Sequence, residues 1–251
     1  MDRTFASVVN RVQTAVQGCP YPTILQYVRD AAIRTCERTL AWRYEVPKFS
    51  LVPAVHEYYY QKPTSADVHA VFGVVINDRP LEILTLDQAI AAYPEWADLY
   101  SGNDPWALTN QTLVGQSEYN EDLYNPGSLY QMPPEIVEKA STPQVFTQIT
   151  PDKFILLPLP DDVPYTVRMW VALKPKRTAT GMDETALDDL EDTIVHSALQ
   201  YLYALPNTAW HEKELSAYHA KQYLFHVTER RARANLGNAR GTMVARYQPF
   251  V

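Results

Sequence analysis

The chain has 251 residues, of which 46% are hydrophobic and 20% charged, so it can bury a sizeable core. Its net charge of −7 argues against a general nucleic-acid binder, because duplex affinity comes mainly from lysine and arginine neutralising phosphates. It has neither an apolar signal core nor a run of about 18 apolar residues, so we expect a soluble protein with no membrane association.

The distribution of charge and the small number of cysteines further restrict the classes of function that the sequence allows. Six acids and no base lie between Met182 and Asp192, whereas Glu229 to Val251 carries five arginines and one acid. An acidic body with a basic tail indicates contacts between different surfaces. Cys19 and Cys36 are too few for a disulfide framework and lack zinc-site spacing, so we expect reduced thiols.

The N-terminal region predicts one helix. From about Thr23 to Trp42, apolar residues recur every three or four positions. The apolar arc is wider than one neighbour requires, and it contains Arg29. This arginine either lies along a hydrophobic surface or pairs with an acid of another subunit.

The middle of the chain, from Val46 to about Lys176, predicts an antiparallel sheet or sandwich. Short β-branched and aromatic runs alternate with proline, glycine and Asn/Asp turns. Between Tyr165 and Leu173 large apolar residues occupy every second position, which is typical of a strand with one buried face. One short helix is expected near Leu84 to Pro94, with Asp87 in its first turn.

Two helices are predicted after Asp183. The first ends at Pro206, and the second runs from about Trp210 to Asn235, with Asn207 or Thr208 as a candidate N-cap. The second has a broad apolar arc (Ala217, Tyr218, Ala220, Leu224, Phe225, Val227, Ala232) and a polar stripe (His219, Gln222, His226, Glu229, Arg230, Arg233).

These elements predict an α+β fold in which a β-rich domain is inserted into a discontinuous helical bundle. Residues 1–45 and 178–235 form the two parts of the helical domain, with one N-terminal and two C-terminal helices. Residues 46–177 form the inserted domain, and residues 236–251 form an extended C-terminal arm.

Candidates for chemistry are few. The segment "HEKEL" at His211 has Leu215 where a zinc protease needs its second histidine. Asp188, Asp192 and His196 share one helix stripe, but a hydrolase built on them would need His56 or His69 from the β region. The chain contains no phosphate-binding glycine loop and no nucleophile elbow. We therefore expect no enzyme, no cofactor and no metal.

Several segments together resemble a known family. "YVRDAAIRTCERTLAWR", "AYPEW", "RMWVALKPKRTATGMDE", "DTIVHSALQYLYALPNTAW", "YHAKQYLF" and "RRARANLGNARGT" follow one another in this order. The chain thereby resembles the head-to-tail connector or adaptor proteins of tailed bacteriophages, as a larger relative of the tail tubular protein A type.

The resemblance implies a structural virion protein, made in the host cytoplasm, that forms a ring of typically twelve copies in the neck. Its partners would be further copies of itself, the portal protein, tail or collar/nozzle proteins, and genomic DNA that passes through the channel without sequence-specific binding.

The resemblance also suggests roles for three sets of residues. The subunit interface would include Arg29, Arg34, Arg38, Trp42 and Arg43, and the channel lining Asp188, Asp189 and Asp192. The arm would dock on the portal or a neighbour through Arg240, Met243, Val244, Arg246, Tyr247 and Phe250, unless it is a disordered terminus. The alternatives are a non-viral oligomeric binding or assembly module, such as a closed dimer, and the hydrolase.

Overall fold

The structure is a computed structural model that describes residues 2–53, 57–93 and 141–236. About 43% of these residues are helical and 29% lie in strands, so the predicted α+β class is confirmed. The helices within this part of the chain are α1 (Ala6–Ala15), α2 (Tyr21–Thr39), α3 (Leu86–Ala92), α4 (Glu184–Tyr203) and α5 (Lys213–Leu236).

The strands in the described residues form three sheets. The strands are β1 (Asp2–Thr4), β2 (Arg43–Ser50), β3 (Glu57–Tyr59), β4 (Ala66–Ile76), β5 (Arg79–Pro80), β6 (Glu82–Ile83), β7 (Val145–Thr150), β8 (Lys153–Leu157), β9 (Thr166–Pro175) and β10 (Gly181–Asp183). In the described residues the sheet orders are β1-β10, β2-β9-β4-β5 and β3-β8-β7-β6. The pairing of β6 with β7 is parallel, so the expectation of a purely antiparallel sheet was wrong at that edge.

The chain divides into two compact units. The first, a helical unit, takes in Met1–Tyr44, Pro63–Ala70 and Ala172–Val251; the second, a β unit, takes in Glu45–Lys62 and Val71–Val171. Short stretches of β4 and β9 therefore belong to the helical unit, in addition to the helices at both ends of the chain.

The helical unit begins with two helices where the sequence predicted one. α1 precedes α2 and buries Phe5, Val8, Val9 and Val12. α2 ends at Thr39, and the next residue, Leu40, terminates the helix by adopting the left-handed backbone conformation. The Leu40 amide still donates to the Cys36 carbonyl. Both cysteines are free and buried. Burial raises the pKa of the Cys36 thiol to about 12, which makes this thiol unreactive.

The β unit is held by an aromatic cluster around Phe154, which is fully buried. Its ring centroid lies 4.9 Å from Tyr60, 5.3 Å from Phe146, 5.6 Å from Tyr58 and 6.1 Å from Phe49. Separations of this size are typical of favourable edge-on or offset ring pairs. This cluster is the hydrophobic centre of the sheet β3-β8-β7-β6.

A smaller apolar cluster places α3 on the same unit. Ala89 of α3 is buried with Val145, Ile155, Leu157 and Leu159. The helix begins with a reciprocal capping box, in which the Thr85 hydroxyl accepts from the Gln88 amide and the Gln88 side chain accepts from the Thr85 amide. The prediction of a short helix here is confirmed, with Asp87 in the first turn.

The two C-terminal helices begin differently. Asp183 caps α4 by accepting from the Ala186 amide, which agrees with the predicted start of this helix. α5 begins at Lys213, later than predicted, because the residues before it form turns. Thr208 does not cap α5; its hydroxyl donates back to the Leu205 carbonyl.

Candidate functional site

The outward face of α5 is the most unusual surface in the described residues. The predicted apolar arc on this helix is present, but most of it is exposed: Tyr218 is 52% exposed, Leu224 56% and Phe225 65%. Ala217 and Ala232 are exposed on the same side. We call the exposed side formed by Ala217, Tyr218, Lys221, Leu224, Phe225, Thr228, Arg231 and Ala232 the α5 outer face.

The opposite side of α5 packs inward and carries much of the predicted polar stripe. Tyr223 and Val227 are buried there, and His219, His226 and Arg230 are half-buried. At the start of the helix, the Ser216 hydroxyl donates to the Gln200 carbonyl at 2.7 Å. The inward side of α5 is therefore mixed, and the larger part of the apolar arc is left uncovered by the described residues.

Arginines of α2 and of the segment after it hold α4 and α5 in place within the same chain. The Arg34 guanidinium lies 3.8 Å from the centroid of the Tyr201 ring, and Arg38 lies 5.6 Å from that of Tyr223. Arg43 donates to the Ala234 carbonyl. Three of the arginines predicted to serve a subunit interface therefore make intrachain contacts.

The other two predicted interface residues are not free surface groups. Trp42 is only 4% exposed, and its carbonyl accepts from the Leu173 amide at 2.8 Å, so its side chain belongs to the core of its own subunit. The Arg29 side chain is half-buried, and its Nε has no hydrogen-bond partner among the described residues. The Arg29 Nε is thus a buried donor without a partner in the described part of the chain.

The acids predicted to line a channel are tied to arginines of three other elements. Asp188 pairs with Arg3, Asp192 lies 2.8 Å from Arg11, and Asp189 lies 3.4 Å from Arg230. The aspartate side chains remain 55%, 59% and 68% exposed, respectively. The stripe is therefore a solvated set of ion pairs, and each arginine offsets part of its negative charge.

Three histidines meet between α4 and α5. The Nδ1 atoms of His196 and His219 lie 2.8 Å apart, and the His226 ring stacks on His196 with centroids 5.4 Å apart. The His219 ring stacks in turn on Tyr203. Because one Nδ1 must donate and the other accept, this contact requires that at least one of the two rings be neutral.

Burial lowers the pKa of His196, and the charges of His219 and His226 lower it further, while Asp192 acts in the opposite direction. Burial alone lowers the pKa of His219. These lowered pKa values favour the neutral form of His196 and His219 near neutral pH.

The histidine cluster does not form a metal site. A pair of nitrogens in mutual hydrogen-bond contact has no room for an ion between them, and no group of three or more potential ligands is suitably placed within residues 2–53, 57–93 and 141–236. His69 lies exposed on β4, and His56 lies outside the described residues. Nothing in this arrangement favours the hydrolase alternative.

The residues assigned to the predicted arm are absent from the described part of the chain. Arg240, Met243, Val244, Arg246, Tyr247 and Phe250 all lie outside the described residues. The α5 outer face, in contrast, lies within them, although the sequence predictions assigned it no role. The sequence pattern that indicates this face is the broad apolar arc of the second C-terminal helix, which does not by itself show whether the arc is buried or exposed.

These features define a class: an α+β protein whose longest described helix has an apolar face that no described residue covers. Comparison with known protein families and with curated proteins found no match. Within the described part of the chain, no helix is long and apolar enough to cross a membrane.

Proposed function

We propose that this protein is a structural subunit of the head-to-tail connector of a tailed bacteriophage, a ring that sits in the virion neck between the portal and the tail. The proposal assigns it no enzymatic activity and no cofactor. Its partners would be other copies of itself, the portal protein, and tail or collar proteins. Genomic DNA would pass through the ring without sequence-specific contacts.

The observation that carries this proposal is the α5 outer face. Large apolar side chains that stand side by side on a helix surface and are about half exposed or more usually mark a protein contact. Tyrosine, phenylalanine and arginine, which this face combines, are enriched at such contacts. An assembly subunit requires a surface of this kind, whereas an enzyme of this size does not.

The predicted interface arginines and the acidic stripe make contacts within their own chain, and these contacts change the roles that we assign to them in a ring. Arg34, Arg38 and Arg43 would stabilise the helical unit that presents the interface. Arg29 would stay a candidate for pairing with a neighbour, since no ion pair joins it to a described residue. The acidic stripe would present a weaker negative lining than its three carboxylates suggest, because Arg3, Arg11 and Arg230 lie beside them.

The test is to mix the purified protein with the portal protein of the same genome, and to measure native masses and negative-stain images before and after mixing. We expect rings of stoichiometric composition on the portal, even if the free protein forms none. A protein that ignores the portal at every concentration would refute the connector assignment.

The arm can be tested in the same assay with the full-length chain. Replacing Tyr247 and Phe250 by serine should abolish portal docking, because these residues are the proposed apolar anchors. Gln248→Ser is the matched control and should dock like the unmodified protein. Normal docking by the double variant would remove the arm from the proposal but leave the ring assignment standing.

A further inference from the structure

We propose that the histidine cluster is an acid-sensitive latch: protonation of both His196 and His219 breaks their contact, and α5 then moves away from α4 while the rest of the chain stays folded. The latch consists of His196 on α4 and of His219 and His226 on α5. The inference rests on this cluster and does not depend on the connector assignment.

The contact between the two Nδ1 atoms can hold one added proton but not two. The atoms lie 2.8 Å apart, so one must donate and the other must accept. One added proton keeps this arrangement possible, because the protonated ring donates to the neutral one. When both rings are protonated, two N–H groups point at each other and two positive charges adjoin, so the contact must open.

Ring stacking limits the ways in which the histidines can relieve this repulsion. The His226 ring stacks on His196 with 14° between the two planes, and the Tyr203 ring stacks on His219 with 11° between them. A ring that rotated away from the Nδ1 contact would lose its stacking partner. Separation of the two helices is the alternative to that loss.

The charges around the latch do little to compensate a second proton. Burial lowers the pKa of both rings, and the charges of His219, His226 and Arg11 lower that of His196 further, while Asp192 raises it. Asp192 is already paired with Arg11 of α1, with 2.8 Å between nitrogen and oxygen. The carboxylate that favours a charged His196 is therefore shared with an arginine.

The other titratable groups on the packed elements have partners of their own. Arg230 of α5 pairs with Asp189 of α4, and Arg34 and Arg38 of α2 lie on tyrosine rings. The groups that face the latch itself are Arg11 of α1, Asp192 and Tyr203 of α4, Glu212 before α5, and Tyr218 and His226 of α5.

α5 is the helix that opening would release, because little else holds it. Within the described part of α5, Tyr223 and Val227 are the buried side chains, whereas α4 buries ten. The histidines thus form a large share of the contact, and elements with few buried apolar residues open at the lowest free energy. The turns at residues 204–212 join the two helices and can act as the hinge.

The experiment is hydrogen exchange of the full chain at about pH 7.5 and about pH 5.5, expressed as protection factors to remove the intrinsic pH dependence of exchange. An opening that takes up one proton becomes about tenfold more favourable for each pH unit below the ordinary histidine pKa of 6.5. We therefore expect about tenfold less protection in α5 at the lower pH, with α2 and β8 unchanged.

Three variants test the origin of the effect. His219→Asn removes one titrating ring but keeps an amide near the position of Nδ1, so α5 should stay protected at about pH 5.5. His211→Asn, at an exposed histidine just before α5, is the matched control and should behave like the unmodified chain. Asp192→Asn should lose more protection than the unmodified chain, because Asp192 favours the proton on His196 in the closed form.

Each other outcome would overturn the latch. Equal loss of protection in α2, α5 and β8 would mean that acid unfolds the whole chain, and unchanged protection in α5 would mean that the contact survives. A loss in α5 that persists in His219→Asn would assign the opening to other groups. If His219→Asn does not fold, Asp192→Asn decides, since its side chain is 59% exposed; a loss no larger than that of the unmodified chain refutes the latch.

Discussion

Removing the Phe154 ring should be the most damaging single change in the β unit. Four aromatic rings lie within 4.9 to 6.1 Å of it, and it is fully buried. Phe→Ala substitutions at such sites cost about 3–5 kcal/mol, part of it from the cavity that remains. We expect the upper half of that range for Phe154→Ala, because the surrounding rings are too rigid to fill the space.

The assay is urea unfolding followed by circular dichroism, with hydrogen exchange of β7 and β8 to report on the β unit. For a slope of about 2 kcal/mol per molar urea, a loss of about 4 kcal/mol lowers the midpoint by about 2 M. Tyr59→Ala, at a position 64% exposed on β3, is the control and should cost less than about 1 kcal/mol. A cost below about 1 kcal/mol for Phe154→Ala would refute the cluster as the core of this unit.

Three further predictions concern hydrogen bonding, backbone space and pH. Tyr203→Phe should lower the free energy of unfolding, measured in urea, by about 1 kcal/mol, because the Tyr203 hydroxyl donates to the Ala15 carbonyl of α1 at 3.0 Å. Tyr60→Phe is the control and should not lower it, because the Tyr60 hydroxyl is buried without a hydrogen-bond partner among the described residues. Gly181→Ala should abolish the exchange protection of β1, since a Cβ there would lie 2.8 Å from a backbone carbon of that strand. The pKa values of His196 and His219 are lowered on folding, so the unfolded chain binds more protons below their ordinary value of 6.5. Stability should be full above about pH 6.5 and fall as the pH drops below it, and replacing both histidines by glutamine should flatten this dependence.

The helices and strands predicted best are those whose pattern of apolar residues can be read within the segment itself, without knowing what the segment packs against. The helical period was predicted to return from Asp183, and α4 begins at Glu184, with Leu187, Leu190 and Ile194 buried at helical spacing. The alternation in β9 was equally direct, with Val167, Met169, Val171 and Leu173 all fully buried. Both predictions depend only on the repeat of apolar residues, every 3.6 positions in a helix and every second position in a strand, and this repeat can be read directly from the sequence.

Other features depend on partners that the local pattern does not name. α1 carries Val8, Val9 and Val12 at helical spacing after its N-cap Phe5, but a helix of ten residues gives a short signal. The parallel pairing of β6 with β7 joins strands separated by about sixty positions in the chain, and neither is long enough to reveal its direction. The arginines of α2 were expected to reach other subunits, and only the fold shows Arg34 and Arg38 on tyrosines of the same chain.

The α5 helix shows why a correct pattern led to an incomplete prediction. An apolar arc predicts that a surface will be buried, but it does not say whether the partner belongs to the same chain. Burying Leu224 or Phe225 would contribute about 1.5–3 kcal/mol each, and packing against the described residues provides only part of this contribution. His219, His226 and Arg230 lie half-buried on the inward side, together with the buried Tyr223 and Val227. A helix whose large apolar side chains are exposed is stabilised most when a second surface covers them, and the proposal of an assembly subunit rests on this observation.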